Sequence, residues 1–411
     1  MMIVSGLLFA LLLGILYYVD YNRTKVYYYK DYCEVWAVPQ GIGRLTGSEM
    51  RHRNETYRFE YSKHKIQRIS LVNGRGKIVR HSDSELVNSR DSEAKFYYTA
   101  DGKVDYKIVY DQCGKVLYKM DYDENMNTVT FRLNDKYGTE MFLSANTTDL
   151  SHSSSAIEQK SGISRYLLTF DENGMLLRLN YVGPSNVPRG DDNNVYGREF
   201  EYDYKGRIIV ERFLGADEKL TCNKIGLAIK EFAYDDEDNN TLQAYYNADH
   251  KSVDDGNGAS VYKYTHDKYG NRLTQTHWTS EDEPTVLKGT AIYGYRYTYD
   301  DYGCHVKTEN IDKDGNLMYN RYGFCATITE YNEDGFEIKE TFIDDKGKAV
   351  SAQLGDNSFA IVVTKPNQWG QTLESCVFDE FNNPIENSAG YHKTVNEYDS
   401  IGNLTLTRYF D

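Results

Sequence analysis

The sequence predicts an all-β fold: tandem β-hairpin repeats forming an extended twisted sheet or solenoid, with one N-terminal transmembrane helix. Three observations carry that expectation: a tyrosine-rich composition, a turn position that returns about every 32 residues, and an apolar run over the first 19 residues. The 411-residue chain holds 38 Tyr against 16 Phe and 3 Trp. Tyrosine suits a pleated, half-wet surface, where its ring packs while its hydroxyl stays hydrated. Against 32 Gly stand only 6 Pro, so many positions tolerate positive φ and few interrupt a strand ladder.

The turns give the fold its frame. An aromatic residue, then Asp or Asn, two variable residues and Gly recur at Tyr202–Gly206, Tyr299–Gly303, Tyr331–Gly335 and Tyr398–Gly402. The glycine position returns at Gly174, Gly206, Asp238, Gly270, Gly303, Gly335, Gly370 and Gly402, with Asp238 as the one exception. Asn and Asp are the residues that best replace Gly in a left-handed turn. A second turn follows 12 residues later at Gly315, Gly347 and Asn382, with degenerate copies at Asn186, Glu218, His250 and Asp282. Alternation between the turns, as in Phe336-Glu337-Ile338-Lys339-Glu340-Thr341-Phe342, gives a strand with Phe336, Ile338 and Phe342 on one face or its edge. Each unit is two turns with their strands and about 20 further residues leading to the next unit. Earlier in the chain Gly102, Gly114, Met126 and Gly138 are spaced by 12, with Tyr98, Tyr110 and Tyr122 each four residues before a turn, which reads as a plain β-meander.

The organisation that follows is residues 1–19 as a membrane anchor or signal segment and 20–95 as a non-repeat cap, with a short-period meander over 96–143. A Ser/Thr-rich loop covers 144–165, and tandem 32-residue hairpin repeats fill 166–411. Repeat arrays need atypical ends, because an end unit would otherwise expose a hydrophobic face. The last strand before Asp411 stops at the mouth of a second turn, so it is expected to lack a partner on one side and to accept β-addition at that edge.

The aromatic-Asp-x-x-Gly unit resembles the YD repeat of the RHS-like repeat proteins of bacteria. The likeness covers Tyr98 to Asp411 loosely and Phe170 to Asp411 well, with a longer period here. It implies a bacterial, envelope-associated or secreted β-sheet array, and it brings no catalytic residue.

Ile3 to Val19 approaches the roughly 20 apolar residues a membrane-spanning helix needs. No basic region precedes the run and no Ala-x-Ala-like site follows it, so an uncleaved anchor is expected, with secretion after signal cleavage as the alternative. Tyr17 and Tyr18 fit an interfacial belt. Arg23, Lys25 and Lys30 favour a cytoplasmic flank, but long domains translocate largely regardless of charge. The expectation is a single-pass membrane protein with extracytoplasmic repeats.

No catalytic, cofactor-binding or metal-binding residue is expected, and no cofactor. With 62 acidic against 47 basic residues and a net charge of −15, the chain repels phosphate backbones, which excludes nucleic acid as a partner. Cys33, Cys113, Cys222, Cys304, Cys325 and Cys376 form no C-x-x-C pair and read as unpaired packing residues. Asn310-Ile311-Asp312-Lys313-Asp314-Gly315 opens like a calcium loop, but Arg321 stands where a bidentate Glu is required. His250, His266 and His277 read as turn or strand residues. Tyr181, Phe213, Tyr245, Phe342 and Tyr409, each seven residues after a first turn, read as core or sheet-stacking residues. The class these features allow is a noncatalytic binding or scaffold module with a protein or glycan ligand. An RHS-type toxin-associated shell and the sensor domain of a signalling protein are the alternatives.

Overall fold

The computed structural model describes residues 13, 18–80, 91–133, 135–143 and 162–411. Most of the expected anchor, and nearly all of the Ser/Thr-rich stretch from Ser144 to Gly162, lie outside them. Residues 18–22 are helical, and no helix among the described residues is long and apolar enough to cross a membrane.

The described chain forms one 24-stranded antiparallel sheet, a two-stranded ribbon and almost no helix. The sheet is a meander. Lys25–Val35 pairs with both Val38–Leu45 and Thr56–Ser62, and each later strand adds beside its predecessor.

The repeat motif explains the hairpins residue by residue. In Tyr202–Gly206, the Asp203 carboxylate accepts from the N–H groups of Lys205 and Arg207 at 2.9 and 3.0 Å, while Gly206 N–H donates to Asp203 O. Gly206 has φ +85, the left-handed geometry this closure requires. The motif tyrosine sits at a bulge, where Glu201 pairs Val210 but Tyr202 pairs Ile208. Its hydroxyl donates to Leu176 O in the preceding hairpin at 2.8 Å. Tyr234, Tyr331 and Tyr398 make the same bond to Ile208, His305 and Thr372. Tyrosine therefore ties neighbouring hairpins, aspartate braces the turn and glycine permits it.

All the second turns have positive φ: Asn186, Glu218, His250, Asp282 and Asn382 lie between +57 and +64, and Gly315 and Gly347 share the conformation. A third turn, absent from the sequence reading, follows eight or nine residues later at Asn194, Gly226, Gly258, Ala291, Gly323, Gly355 and Gly390. It fills a gap left by the register. Strands within a hairpin pair over about six residues, as Gly197–Tyr202 with Ile208–Leu214, whereas Ile208–Leu214 pairs with Ile229–Tyr234 over only three. Each gap holds a single bridge, such as Leu214 to Leu220 or Ile343 to Ala349, and the third turn.

The sheet is wound on itself, not simply extended. Its later first turns stack on the earlier strands: Trp36 N–H donates to Gly174 O at 2.8 Å, Asn271 Nδ2 to His52 O at 2.7 Å, Asn73 Nδ2 to Asp334 O at 3.0 Å and Gln112 Nε2 to Trp369 O at 2.9 Å. Both partners advance together along the chain, so a second winding climbs over the first. The hydrophobic core lies inside this coil, around Phe59, Phe96, Phe131, Leu143 and Tyr181.

Candidate functional site

Winding a one-sheet ribbon leaves space inside, and the described residues enclose two adjoining cavities of about 460 and 660 Å³ that share Asp31, Tyr57, Leu71 and Tyr234 as walls. The smaller is walled on one side by the first winding, from Asp31 to Tyr166, and on the other by Leu176 to Tyr234 of the next. Asp91 lines it, with Oδ2 accepting from the Tyr118 hydroxyl at 2.5 Å and Oδ1 buried without a hydrogen-bond partner among the described residues. Burial pushes the Asp91 carboxyl up to about 7. Lys107 pairs with Glu34 at 3.1 Å; burial pulls its ammonium down, but Glu34 together with Tyr122 and Tyr32 outweighs that and holds the lysine charged. Arg198 donates to the Tyr181 hydroxyl at 2.8 Å and forms an ion pair with Glu211, which is completely buried. Such a pair is tolerated in low dielectric only because each charge finds its partner.

The larger cavity lies where the windings meet. Lys30 comes from the first strand and Arg53 from the segment after the helix Gly47–Met50. His266 occupies the position that elsewhere carries the motif tyrosine, and Gly270 closes the same turn. Lys30 Nζ donates to Glu237 O at 2.6 Å and Asn239 Oδ1 at 3.2 Å. Arg53, 8% exposed, donates Nε to Glu55 O at 3.1 Å and Thr56 Oγ1 at 3.3 Å, and Nη1 to Tyr269 O. Burial lowers the Arg53 guanidinium to about 10, and burial followed by the Arg53 charge lowers Lys30. Burial, then the charge of Arg272, drives the His266 imidazole down to about 4, so it is neutral at ordinary pH.

The residues weighed in the sequence are dispersed. Asp312 Oδ1 accepts from Asp314 and Asn316 N–H at 2.9 and 2.8 Å, which uses that carboxylate within its own turn. His250 is exposed on a second turn, 2.9 Å from Glu231 Oε1 and stacked on Tyr246. His277 is fully buried, at the place in its repeat held elsewhere by Tyr181, Phe213, Tyr245 and Phe342, and burial lowers it to about 4. Those four aromatics are core residues, whereas Tyr409 is exposed. The six cysteines are free, with Cys304 and Cys325 buried. Among the described residues no group of three His, Cys, Asp or Glu is placed to hold a metal ion. Lys30 entered the sequence reading only as a charge flanking the apolar run, and Arg53, Asp91, Arg198 and Glu211 escaped it. The one signal for the last two was a charge at an inward position of the alternation, as in Glu211 between Val210 and Arg212 two residues from Phe213.

Comparison with known proteins gives no matching family model and no matching curated protein. Solved structures give a likeness to Tc toxin assemblies. The crystal structure of TcdB2-TccC3-TEV matches at 13% identity and TM-score 0.27, over 84% of this chain and 18% of that one. The crystal structure of TcdB2-TccC3-Cdc42 matches at 11% identity and TM-score 0.24, over 87% of this chain and 21% of that one. A structure of the Photorhabdus luminescens Tc holotoxin pore with a substituted TccC3 matches at 11% identity and TM-score 0.23, over 87% of this chain and 20% of that one. The chain spans about a fifth of the length of the toxin chains it matches.

Proposed function

We propose that this chain is a noncatalytic binding or scaffold module of the bacterial cell envelope, carried by a single-pass N-terminal anchor with the repeats outside the cytoplasm. The observation that supports it best is the single wound sheet, whose charged interior groups are largely engaged in pairs and turns while aromatic residues stand at its outer turns. Tyr204 is 89% exposed, and Phe381 is also exposed on its turn. Aromatic faces spaced along a rigid repeat surface suit sugar rings and peptide strands. On this reading the ligand is a glycan or a protein. Protease added to spheroplasts should degrade the repeats while the protein fractionates with membranes, and a peptidoglycan and glycan array should retain the protein through Tyr204 and its equivalents. Full protection from protease would place the repeats on the cytoplasmic side and end the envelope reading.

A second reading, an RHS-type toxin-associated shell, is favoured by the winding itself, because a coiled sheet encloses volume. It expects a second polypeptide to co-purify inside the coil and to be protected from protease. A protein that purifies alone and binds glycans speaks for the first.

A further inference from the structure

Around the larger cavity the chain departs from its own repeat. The motif tyrosine elsewhere reaches back to the preceding hairpin: the Tyr202 hydroxyl donates to Leu176 O at 2.8 Å and the Tyr234 hydroxyl to Ile208 O at 2.9 Å. One repeat on, His266 stands in place of the tyrosine, and Asn240 in place of Leu176 and Ile208. Both side chains line the cavity, and His266 Nδ1 and Asn240 Oδ1 are buried without a hydrogen-bond partner among the described residues. Gln243 and Gln275 add amide groups to the same wall, at the place held two and three repeats earlier by Leu179. The other departures from the motif tyrosine, Phe170 and Pro366, bring no polar side chain. Buried polar atoms are seldom left unpaired without a ligand or ordered water, and a local break in an otherwise consistent pattern is where function is expected.

The charges of the wall are answered within the protein. Lys30 lies among Asp235, Glu237 and Asp238, and Arg53 among Asp267, Glu55 and Asp31. Asp238 is also paired with Lys205 and Arg207, and Asp255 accepts from the Tyr262 hydroxyl at 2.7 Å. Arg272 Nη1 donates to Gln275 Oε1 at 3.0 Å, and its guanidinium lies over the Tyr264 ring, 4.3 Å from the centroid. An anion entering here would meet the carboxylates and a cation the three basic groups, and either would give up its hydration. A hydroxyl group meets neither penalty. It donates to Asn240 Oδ1, and it donates to or accepts from the neutral imidazole of His266 according to its tautomer. Phe232, Tyr245 and Tyr262 supply a buried aromatic wall, and the volume of about 660 Å³ is in the range of small-molecule sites.

We infer that this cavity binds an uncharged sugar of one or two rings, whose hydroxyl groups bond Asn240 Oδ1 and His266 Nδ1 and whose apolar ring face packs on the aromatic wall. The site lies inside the coil, so the inference stands independently of what the exposed turns bind.

The test is titration calorimetry on the full chain in detergent with glucose, N-acetylglucosamine and cellobiose, and with glucuronate and glucosamine as charged counterparts, at matched ionic strength. At least one uncharged sugar should bind ten-fold or more tightly than either charged one. His266→Tyr restores the residue of the neighbouring repeats, whose hydroxyl reaches the preceding hairpin; it should weaken that binding at least ten-fold while keeping the melting temperature at or above that of the parent. Asn240→Leu, which copies Leu176, should weaken binding to the same extent, and it decides alone should His266→Tyr fail to fold. Binding of no uncharged sugar, a charged counterpart binding as tightly as the uncharged ones, or either folded variant binding like the parent would overturn the proposal.

Discussion

Each first-turn glycine answers two demands at once, and only one of them is visible in the turn. Gly335 has φ +81, and a Cβ there would lie 2.7 Å from Asn73 Nδ2 and 3.2 Å from Arg75 Nη1 of the first winding. Gly347 has the same conformation with nothing within 4 Å. Asparagine tolerates the left-handed region, so Gly347→Asn should cost less than about 1 kcal/mol, while Gly335→Asn adds overpacking and should cost roughly 2–3 kcal/mol. Urea denaturation of the two variants measures the difference; equal costs would mean the windings do not touch there. Asp238 departs from glycine for a reason of its own, since its carboxylate takes Lys205 and Arg207 at 2.7 and 3.0 Å. Asp91 makes a pH prediction. Its carboxyl titrates at about 7 when folded, against an ordinary 3.8, so the folded state holds the proton more tightly. Stability is lost as pH rises from about 4 to 7 and stays lost above, by up to about 4 kcal/mol at ~1.4 kcal/mol per unit. Asp91→Asn should therefore be more stable than the parent at pH 8, with the gap closing towards pH 4 in melting experiments.

At the scale of the element, the hairpin is held to its neighbour by one hydroxyl per repeat. Tyr331 OH donates to His305 O at 2.8 Å across the short, three-residue pairing. Tyr331→Phe keeps the ring and removes the bond, leaving a part-buried carbonyl short of a partner; it should cost about 1 kcal/mol. Amide exchange should accelerate in the pairing of His305–Ile311 with Ala326–Tyr331 more than inside the hairpin Ala326–Ile343. Uniform acceleration would mean the hydroxyl does not act at this joint. The chain itself varies the position: Phe170 has no hydroxyl and packs on Trp36 with ring centroids 5.0 Å apart, and His266 leaves Nδ1 unpartnered beside the larger cavity.

At the scale of the molecule, the first winding is the floor on which the second is laid. Asn73 bonds Asp334 O, and Arg75 reaches Asp300 Oδ2 at 3.3 Å and Cys304 Sγ at 2.7 Å while stacking on Tyr302. Replacing both Asn73 and Arg75 with Ala should cost about 2–4 kcal/mol, from a lost backbone bond and a part-buried charged pair. It should also raise exchange at the turns of residues 300–304 and 332–336, more than 200 residues away in sequence. Exchange confined to residues 70–80 would mean the two windings open independently. The first-turn positions, Asp238 among them, the second turns and the all-β class were legible in the sequence, because each depends on a local φ or on period-2 alternation that a residue type states outright. The third turns went unread, although Asn223-x-x-Gly226, Asn320-x-x-Gly323 and Asn387-x-x-Gly390 carry a turn mark; Ala291 carries none. Nothing local marks Lys30 and Arg53 as neighbours of Gly270. Whether a meander runs straight or climbs over itself depends on twist and curvature summed over many strands. Tertiary structure alone therefore decided the winding, the seam and the charges gathered in its cavity, because those are contacts between residues that the repeat period sets far apart.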